Sequence, residues 1–298
     1  MKSVVIITGP TGIGKTKLSI DIANSLSTEI ISCDSRQIYK ELYIGTAVPE
    51  PEELSAAKHH LIQHVSIHDY YNVSRYEQEA LSCIEEIHKT NDIAVVTGGT
   101  GLYIDAICKG IDIMPDPDPK IRAHYNKLYQ EQGVTALQKE LLRLDAEYYQ
   151  KVDLNNYVRL IRALEICKQT GKTFTSFRKT KPQARPFKCI KIALDMNREL
   201  LYKRINLRVE QMVEAGLVEE ARNVFEHKGL SALKTVGYKE LFEAFENKLS
   251  IEEGIEHIKN NSRKYARKQL SWIRRDKEYK WFEPTMKNEI LSFIKKHI

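Results

Sequence analysis

The chain has 298 residues, of which 42% are hydrophobic and 29% are charged, and its formal net charge is +6. A chain of this length can bury a large core, and we expect two lobes. No stretch approaches 18 apolar residues and the first residues run directly into a strand pattern, so we expect neither a membrane span nor a signal peptide. The 5 cysteines are scattered and form no CxxC pair, which favours reduced thiols in a cytoplasm over disulfides or zinc.

Positive charge is concentrated in two zones. Residues 115–185 contain 14 Lys or Arg and 8 Asp or Glu, and residues 259–280 contain 9 and 2, so the remainder of the chain is acidic. Two basic zones on an acidic body indicate a polyanionic partner, although charge alone fits ordinary solvated helix faces about equally well.

In chain order, a strand is predicted over Val4–Thr8, followed by a glycine-rich loop and a helical apolar spacing. The loop reads Gly9-Pro10-Thr11-Gly12-Ile13-Gly14-Lys15-Thr16, which matches G-x-x-x-x-G-K-[ST] completely. Strand, loop and helix are the context in which this motif cradles phosphates with backbone N–H groups. Lys15 would add a point charge and the Thr16 hydroxyl would ligand Mg²⁺. The sequence therefore predicts a site for a di- or triphosphate.

The next two strands, Glu29–Ser32 and Ile93–Thr97, end beside chemically useful side chains. Asp34 follows the first, where it can accept a proton from an attacking nucleophile or cap a helix. Gly98-Gly99-Thr100 follows the second, with no acidic residue at that point. This turn is rich in hydrogen-bond donors and suits an anion that develops charge; the alternative interpretation is a tight helix N-terminus with Thr100 as its cap.

The alternation of strands and helices breaks near residue 111, where Pro115, Pro117 and Pro119 cannot continue a helix or a central strand. Only helical patterns follow, up to a second proline stretch over Pro182–Pro186, after which a strand is predicted at Cys189–Leu194. We therefore predict an α/β fold: a P-loop NTPase-like parallel sheet with helices on both faces, plus an inserted all-helical domain. The core would comprise residues 1–114 and 186–298, and the insertion residues 115–185.

Three helical patterns place basic residues on one face. They are Arg204 with Arg208, Arg159 with Arg162, and the tail positions Arg263, Lys264, Arg267, Lys268, Arg274 and Arg275. The tail stripe fits a helix that docks on the core and contacts a phosphate backbone, with Tyr265 and Trp272 able to stack on bases or to pack inside. His60, His64 and His68 share a helical spacing, for which helix packing is a better explanation than a metal site.

Taken together, these segments resemble the tRNA dimethylallyltransferases, the bacterial isopentenyltransferase family that prenylates the adenosine beside the anticodon. The resemblance runs along almost the whole chain. It rests on the glycine loop and on Asp34–Tyr39, Ile44–Ala47, His59–Ile62, Gly98–Thr100, Arg159–Glu165, Val236–Lys239 and Tyr265–Arg274.

The resemblance implies that the loop holds the diphosphate of dimethylallyl diphosphate and that Mg²⁺ is the cofactor. It implies that Asp34 is the general base on the N6 amine of adenine, and that Thr100 and Arg208 stabilise the departing diphosphate. It places the following residues against the tRNA anticodon stem-loop: Asp34, Ser35, Arg36, Gln37, Thr100, Arg122, Val158, Arg159, Leu160, Ile161 and Arg162. With Arg267 and Lys268 of the basic tail, these are the expected tRNA contacts of a cytoplasmic monomer without a membrane partner.

Four positions differ from the usual family pattern, namely Tyr43, Val48, Gln63 and Asn156. Other functions compatible with the loop are a kinase for a small hydroxylated metabolite, a non-enzymatic RNA-binding adaptor and a relative acting on free adenine nucleotides. The two basic zones speak against the kinase, and the joint presence of Asp34, Thr100 and Arg208 speaks against the adaptor.

Overall fold

The structure is a computed structural model that describes residues 1–178 and 183–298. The chain divides into two compact units, one formed by Met1–Lys109 with Ala184–Ile298 and the other by Gly110–Gln183. The second unit corresponds to the insertion predicted at 115–185. Pro182, which begins the predicted second proline stretch, lies outside the described residues.

The larger unit contains a six-stranded sheet in the order β3-β2-β4-β1-β5-β6, and every neighbouring pair is parallel. The strands are β1 Ser3–Thr8, β2 Ile30–Ser32, β3 His59–His60, β4 Ile93–Gly98, β5 Lys188–Leu194 and β6 Lys280–Phe282. The helices of this unit are α1 Lys15–Ser25, α2 Pro51–Ala56, α3 Val73–Ile87, α4 Gly101–Lys109, α9 Arg198–Glu214, α10 Leu217–Asn223, α11 Tyr238–Phe245, α12 Ile251–Ile273 and α13 Lys287–His297.

All four predicted strands are present, and the sheet gains two short edge strands that the sequence did not indicate. His59 and His60 form the edge strand β3, so the helical spacing expected for His60, His64 and His68 is wrong. Their ring nitrogens instead contact carboxylates: His60 contacts Glu29 at 2.6 Å and His64 contacts Glu79 at 3.0 Å. These histidines therefore tie loops to the sheet edge and to α3.

Helices cover both faces of the sheet because successive side chains of β1 point to opposite sides. Val5 and Ile7 belong to an apolar cluster that also contains buried residues of α1 and α13, whereas Val4 and Ile6 pack with buried residues of α3 and α4. A strand buried on both faces reads as a continuous apolar run, as Val4–Ile7 does. The predicted fold class is thereby confirmed.

The C-terminal helices form a separate cluster that supports one side of the site. Leu217, Tyr238 and Ile258, from α10, α11 and α12, are almost completely buried together with Ile38 and Leu42 from the segment after β2. The backbone that follows Asp34 is therefore packed against three helices.

The smaller unit is all-helical and has its own core. Its helices are α5 Pro119–Leu144, α6 Ala146–Tyr149, α7 Tyr157–Thr170 and α8 Phe174–Phe177. Gly133 interrupts α5 with φ 71°, a backbone angle that other residues rarely adopt. Glu165 is fully buried on α7 and accepts from Arg122 Nη2 at 2.8 Å and from Arg162 Nη1 at 3.4 Å, which ties α5 to α7. Across the part of the chain that the structure describes, no helix is long and apolar enough to span a membrane.

Candidate active site

The three loops that the sequence analysis singled out lie together at the carboxyl end of the parallel strands. β2, β4 and β1 are consecutive neighbours, and their carboxyl ends lead into Asp34, Gly98–Thr100 and Gly9–Thr16 respectively. In an open parallel sheet, ligands bind beyond these ends, where the chain connections reverse direction. The topology therefore brings the phosphate loop and Asp34 together.

The phosphate loop has the backbone geometry that anion binding requires. Gly12 and Gly14 adopt φ angles of 79° and 99°, which side chains with a Cβ rarely tolerate, and α1 begins at Lys15. Lys15 Nζ donates to the carbonyl oxygens of Gly9 and Pro10, both at 3.0 Å. Burial lowers the pKa of Lys15 to about 8, while the Asp34 carboxylate opposes that shift. Lys15 is thus charged at neutral pH and held across the loop.

Asp34 performs two tasks. Its Oδ1 accepts the backbone N–H groups of Arg36 at 2.8 Å and Gln37 at 3.3 Å, which fixes the turn after β2. The same side chain lines two neighbouring cavities. Capping one turn with Oδ1 leaves the second carboxylate oxygen as the atom suited to accept a proton.

Thr100 is hydrogen-bonded to the turn that carries Asp34. Its Oγ1 accepts the Ser35 N–H at 3.0 Å and lies 3.3 Å from Ser35 Oγ, and its own N–H donates to the Cys33 carbonyl at 3.2 Å. Thr100 therefore holds both residues that flank Asp34. Its predicted contact with a departing diphosphate stays a prediction.

Arg208 lies on α9 and lines both cavities. Its Nη2 is 3.5 Å from the Ala47 carbonyl. Burial lowers the pKa of Arg208, and the carboxylates of Asp34 and Glu53 oppose that change. Arg204, one turn earlier, lines the larger cavity beside the loop, so the predicted pair does share a face that points to the phosphate site.

The two cavities have volumes of about 750 and 370 Å³. The larger is lined by the phosphate loop and by apolar side chains such as Ile44, Val48 and Leu207. The smaller is lined by basic side chains, namely Arg36, Lys234, Lys239, Lys264 and Lys268. Asp34, Arg208 and Tyr265 belong to both linings, so a carboxylate and a guanidinium lie where the two cavities meet.

Glu220 supports the wall of the larger cavity, and the sequence analysis did not identify it. Its carboxylate accepts three consecutive backbone N–H groups, those of Tyr43 and Ile44 at 2.8 and 2.7 Å on Oε2 and that of Gly45 at 2.8 Å on Oε1. The Tyr238 hydroxyl donates to Oε1 at 2.6 Å. Glu220 therefore fixes the loop that forms the apolar wall of the larger cavity, over a separation of about 175 residues that no local pattern reveals.

The family assignment follows from comparison with known proteins. The family model described as IPP transferase matches residues 37–276. The chain belongs to the IPP transferase family.

Relatives of this IPP transferase match over nearly their whole length. The tRNA dimethylallyltransferase of Christiangramia forsetii is 52% identical over 94% of this chain and 93% of its own length. The tRNA dimethylallyltransferase 1 of Bacteroides thetaiotaomicron is 46% identical, with coverages of 99% and 96%.

Two solved structures support the same family assignment. The full-length tRNA isopentenylpyrophosphate transferase of Bacillus halodurans gives a TM-score of 0.74 at 35% identity, covering 99% of this chain and 96% of that one. A eukaryotic dimethylallyltransferase captured acting on tRNA gives 0.79 at 26% identity, covering 100% of this chain and 77% of that one. The predicted family is thereby confirmed.

In this IPP transferase, the segment after Asp34 is held by its own side chains. Arg36 Nη1 donates to the carbonyls of Ser231 and Ala232 at 3.2 and 3.1 Å, and Gln37 Nε2 donates to the Ala47 carbonyl at 2.6 Å. The Arg36 side chain lines the smaller cavity. Among the tail residues, Arg267 and Lys268 are exposed on α12, and Trp272 packs over the turn at Gly101.

The expected tRNA segment of the helical unit is divided between two faces. Val158 is 60% exposed and Arg159 is exposed, whereas Leu160 and Ile161 are 0% and 5% exposed. Leu160 and Ile161 pack in the core of that unit, so side-chain contacts between them and RNA do not fit this structure. A tRNA contact by either residue stays a prediction and would have to involve its backbone.

The remaining expected contacts of the helical unit, Arg122 and Arg162, both bond the buried Glu165. Arg162 also donates to the Pro115 carbonyl at 2.8 Å. Arg122 keeps 43% of its side chain exposed. Both arginines therefore hold the helical unit together, and a tRNA contact by either stays a prediction.

The four positions that differ from the family pattern have local roles. Asn156 caps α7 by accepting the Arg159 N–H, a task that an Asp would also perform. Tyr43 donates to Glu50 at 3.0 Å, Gln63 donates to the Lys40 carbonyl at 3.3 Å, and Val48 is 3% exposed. None of these substitutions disturbs the loops that meet at Asp34.

Proposed function

We propose that the protein transfers a dimethylallyl group from dimethylallyl diphosphate to the N6 amine of the adenosine 3′-adjacent to the anticodon of tRNA. The observation that carries this proposal is the meeting of two unlike cavities at Asp34 and Arg208, in a chain of the IPP transferase family. The relatives named above, which are tRNA dimethylallyltransferases or tRNA isopentenylpyrophosphate transferases, support the same reaction.

The larger cavity would hold the allylic diphosphate. Loop N–H groups, Lys15 and Arg208 surround the space that the two phosphates would fill, and the apolar wall around Ile44 and Leu207 suits a five-carbon chain. Protein donors that are already in place when charge develops on the leaving group each typically contribute about 10²–10³ in rate.

The site also fits Mg²⁺. The Thr16 hydroxyl lines the larger cavity, and Mg²⁺ commonly takes few protein ligands and completes its shell with phosphate oxygens and water. Within residues 1–178 and 183–298, no group of three or more His, Cys, Asp or Glu side chains is arranged to hold a metal. When bound, Mg²⁺ would neutralise part of the diphosphate charge.

The proposed transfer breaks one bond and forms another. The bond between the allylic carbon and the diphosphate oxygen breaks, and diphosphate leaves with the electron pair. N6 of adenine forms the new bond to that carbon, and its proton passes to Asp34. An adenine amine is weakly basic, so proton removal by the carboxylate accompanies or follows attack and is typically worth about 10²–10⁴ in rate.

The smaller, cationic cavity would receive the target nucleotide. An adenosine inside an anticodon loop must leave its stack to reach Asp34, and basic side chains hold the phosphates on either side of a flipped base. Tyr265, which lines both cavities, offers an aromatic face for that base. We propose that exposed basic residues of the helical unit bind the stem-loop, and that the enzyme works as a monomer in the cytoplasm.

The deciding experiment incubates the protein with radiolabelled dimethylallyl diphosphate, Mg²⁺ and unmodified tRNA, and follows label into RNA. A parallel reaction supplies ATP with small hydroxylated metabolites and no RNA. Label in tRNA that depends on the adenosine next to the anticodon supports the proposal. ATP turnover without RNA, together with unlabelled tRNA, would overturn it in favour of a kinase.

A further inference from the structure

Gln269 joins two loops of the site that are far apart in the sequence. It lies on the inner face of α12 and is 6% exposed. Its Oε1 accepts the Thr11 N–H of the phosphate loop at 2.9 Å, and its Nε2 donates to the Gly99 carbonyl at 3.1 Å. One side-chain amide therefore connects the phosphate loop to the turn after β4.

The amide packs closely against the turn after β4. A Cβ atom built at Gly99 would collide with Gln269 Nε2, so the amide can occupy this position only because residue 99 is a glycine. The same helix covers Gly101 with the indole of Trp272. The position of the Gly99–Gly101 turn is consequently set by α12 as well as by the sheet.

The turn held by Gln269 also holds the segment that carries Asp34. Thr100 accepts the Ser35 N–H and donates its own N–H to the Cys33 carbonyl, so both neighbours of Asp34 are bonded to it. The path from the phosphate loop to Asp34 thus runs through Gln269, Gly99 and Thr100, and each step is a hydrogen bond or a peptide bond.

We propose that Gln269 is a positioning residue that fixes the separation between the phosphate loop, which holds the allylic donor, and the turn that holds Asp34. The inference rests on the proposed function for its chemical meaning. Reacting atoms must meet at about 3–3.5 Å, and a displacement of about 1 Å costs on the order of 10²-fold in rate. Gln269 keeps the donor and the base within that tolerance without touching either.

Two substitutions distinguish the two hydrogen bonds of the Gln269 amide. Gln269→Glu keeps an acceptor for the Thr11 N–H and, once ionised, has no proton to donate to the Gly99 carbonyl, so this variant is assayed at a pH above the titration of its carboxyl group. Gln269→Met has a similar shape and loses both hydrogen bonds. Asn91→Leu is the matched control, because Asn91 also bridges two segments, donating to the carbonyls of Leu26 and Ser27 at 3.2 and 2.8 Å away from both cavities.

Single-turnover transfer at saturating donor and tRNA is measured for all variants, together with the KM for donor. We expect both Gln269 variants to transfer about tenfold or more slowly, with the donor KM changed less than about threefold, because the loop itself still binds diphosphate. Asn91→Leu should lower the melting temperature without slowing transfer. Should Gln269→Met fail to fold, the conservative Glu variant carries the test.

Hydrogen exchange gives a readout that does not depend on activity. The Thr11 amide should remain protected in Gln269→Glu and lose protection in Gln269→Met, whereas residues 99–101 should exchange faster in both. Wild-type transfer at saturation in either variant, a loss confined to the donor KM, or unchanged exchange would overturn the inference. An inactive wild-type protein would instead overturn the proposed function, and the exchange comparison would still decide the structural role of Gln269.

Discussion

The phosphate loop and helix α7 are both predicted to bind a substrate through a short run of consecutive residues. In the structure, most of the loop residues face a cavity, whereas only part of the α7 segment is exposed. Thr11, Gly12 and Gly14–Thr16 line the larger cavity, because the loop curls around this space and exposes most of its positions to it. On α7, Val158 and Arg159 face outward while Leu160 and Ile161 are buried. Successive residues of a helix point 100° apart, so a contiguous helical segment cannot all contact one ligand.

The largest expected effect is on the transfer rate and concerns Asp34, beside the phosphate loop. Asp34→Asn keeps an oxygen that accepts the Arg36 and Gln37 N–H groups but removes the proton acceptor. We expect transfer to fall by about 10²–10⁴, with binding of inorganic diphosphate nearly unchanged. Rapid-quench transfer assays and calorimetry measure the two quantities. An Asn variant with wild-type transfer would contradict the assignment of Asp34 as base.

The inward face of α7 is tested by its stability. Leu160→Ala removes a fully buried side chain and should lower the free energy of unfolding of the helical unit by about 2–5 kcal/mol. The exposed neighbour provides the control, since Val158→Ala should change it by no more than about 0.5 kcal/mol. Urea denaturation followed by circular dichroism measures both. Equal losses of unfolding free energy in the two variants would contradict the burial of Leu160 and the exposure of Val158.

The loop side also makes a prediction about pH. The pKa of Lys15 is lowered to about 8 by burial, so its charge is present below that pH and is lost as the pH rises through it. Affinity for Mg²⁺-diphosphate should therefore fall by up to about tenfold between roughly pH 7 and 9. A Lys15→Arg protein stays charged throughout this range and reports the titration of the ligand itself. Calorimetry that gave both proteins the same pH dependence would argue against the shift.

The smallest effect concerns the outward face of α7. Arg159→Ala should weaken tRNA binding and reduce the slope of log affinity against log salt by about 1, because one phosphate contact is lost. Lys151→Ala is the matched control, since Lys151 is exposed but already paired with Glu147 at 2.7 Å. Filter binding over a salt series measures the slopes. A slope unchanged in the Arg159 variant would remove α7 from the tRNA surface.

Local patterns were sufficient for much of this molecule. Strands β1, β2, β4 and β5, the phosphate loop and Asp34 could be predicted because each rests on a run of fewer than ten neighbouring residues. Strand β2 also has only 3 residues but contains the β-branched pair Ile30-Ile31, whereas β3 reads His-His and β6 reads Lys-Trp-Phe, which contain no β-branched residue. Gln269 and Glu220 could not be found because their partners lie about 258 and 175 residues away, and a single polar residue on a helix carries no sign of that contact.

The carboxylate of Glu220 has one further consequence. Three successive backbone N–H groups that converge on two oxygens form a small anion-binding site, and here the bound anion is the carboxylate of Glu220 itself. The wall of the larger cavity is therefore ordered before any ligand arrives, so binding there costs little conformational entropy for ordering this loop.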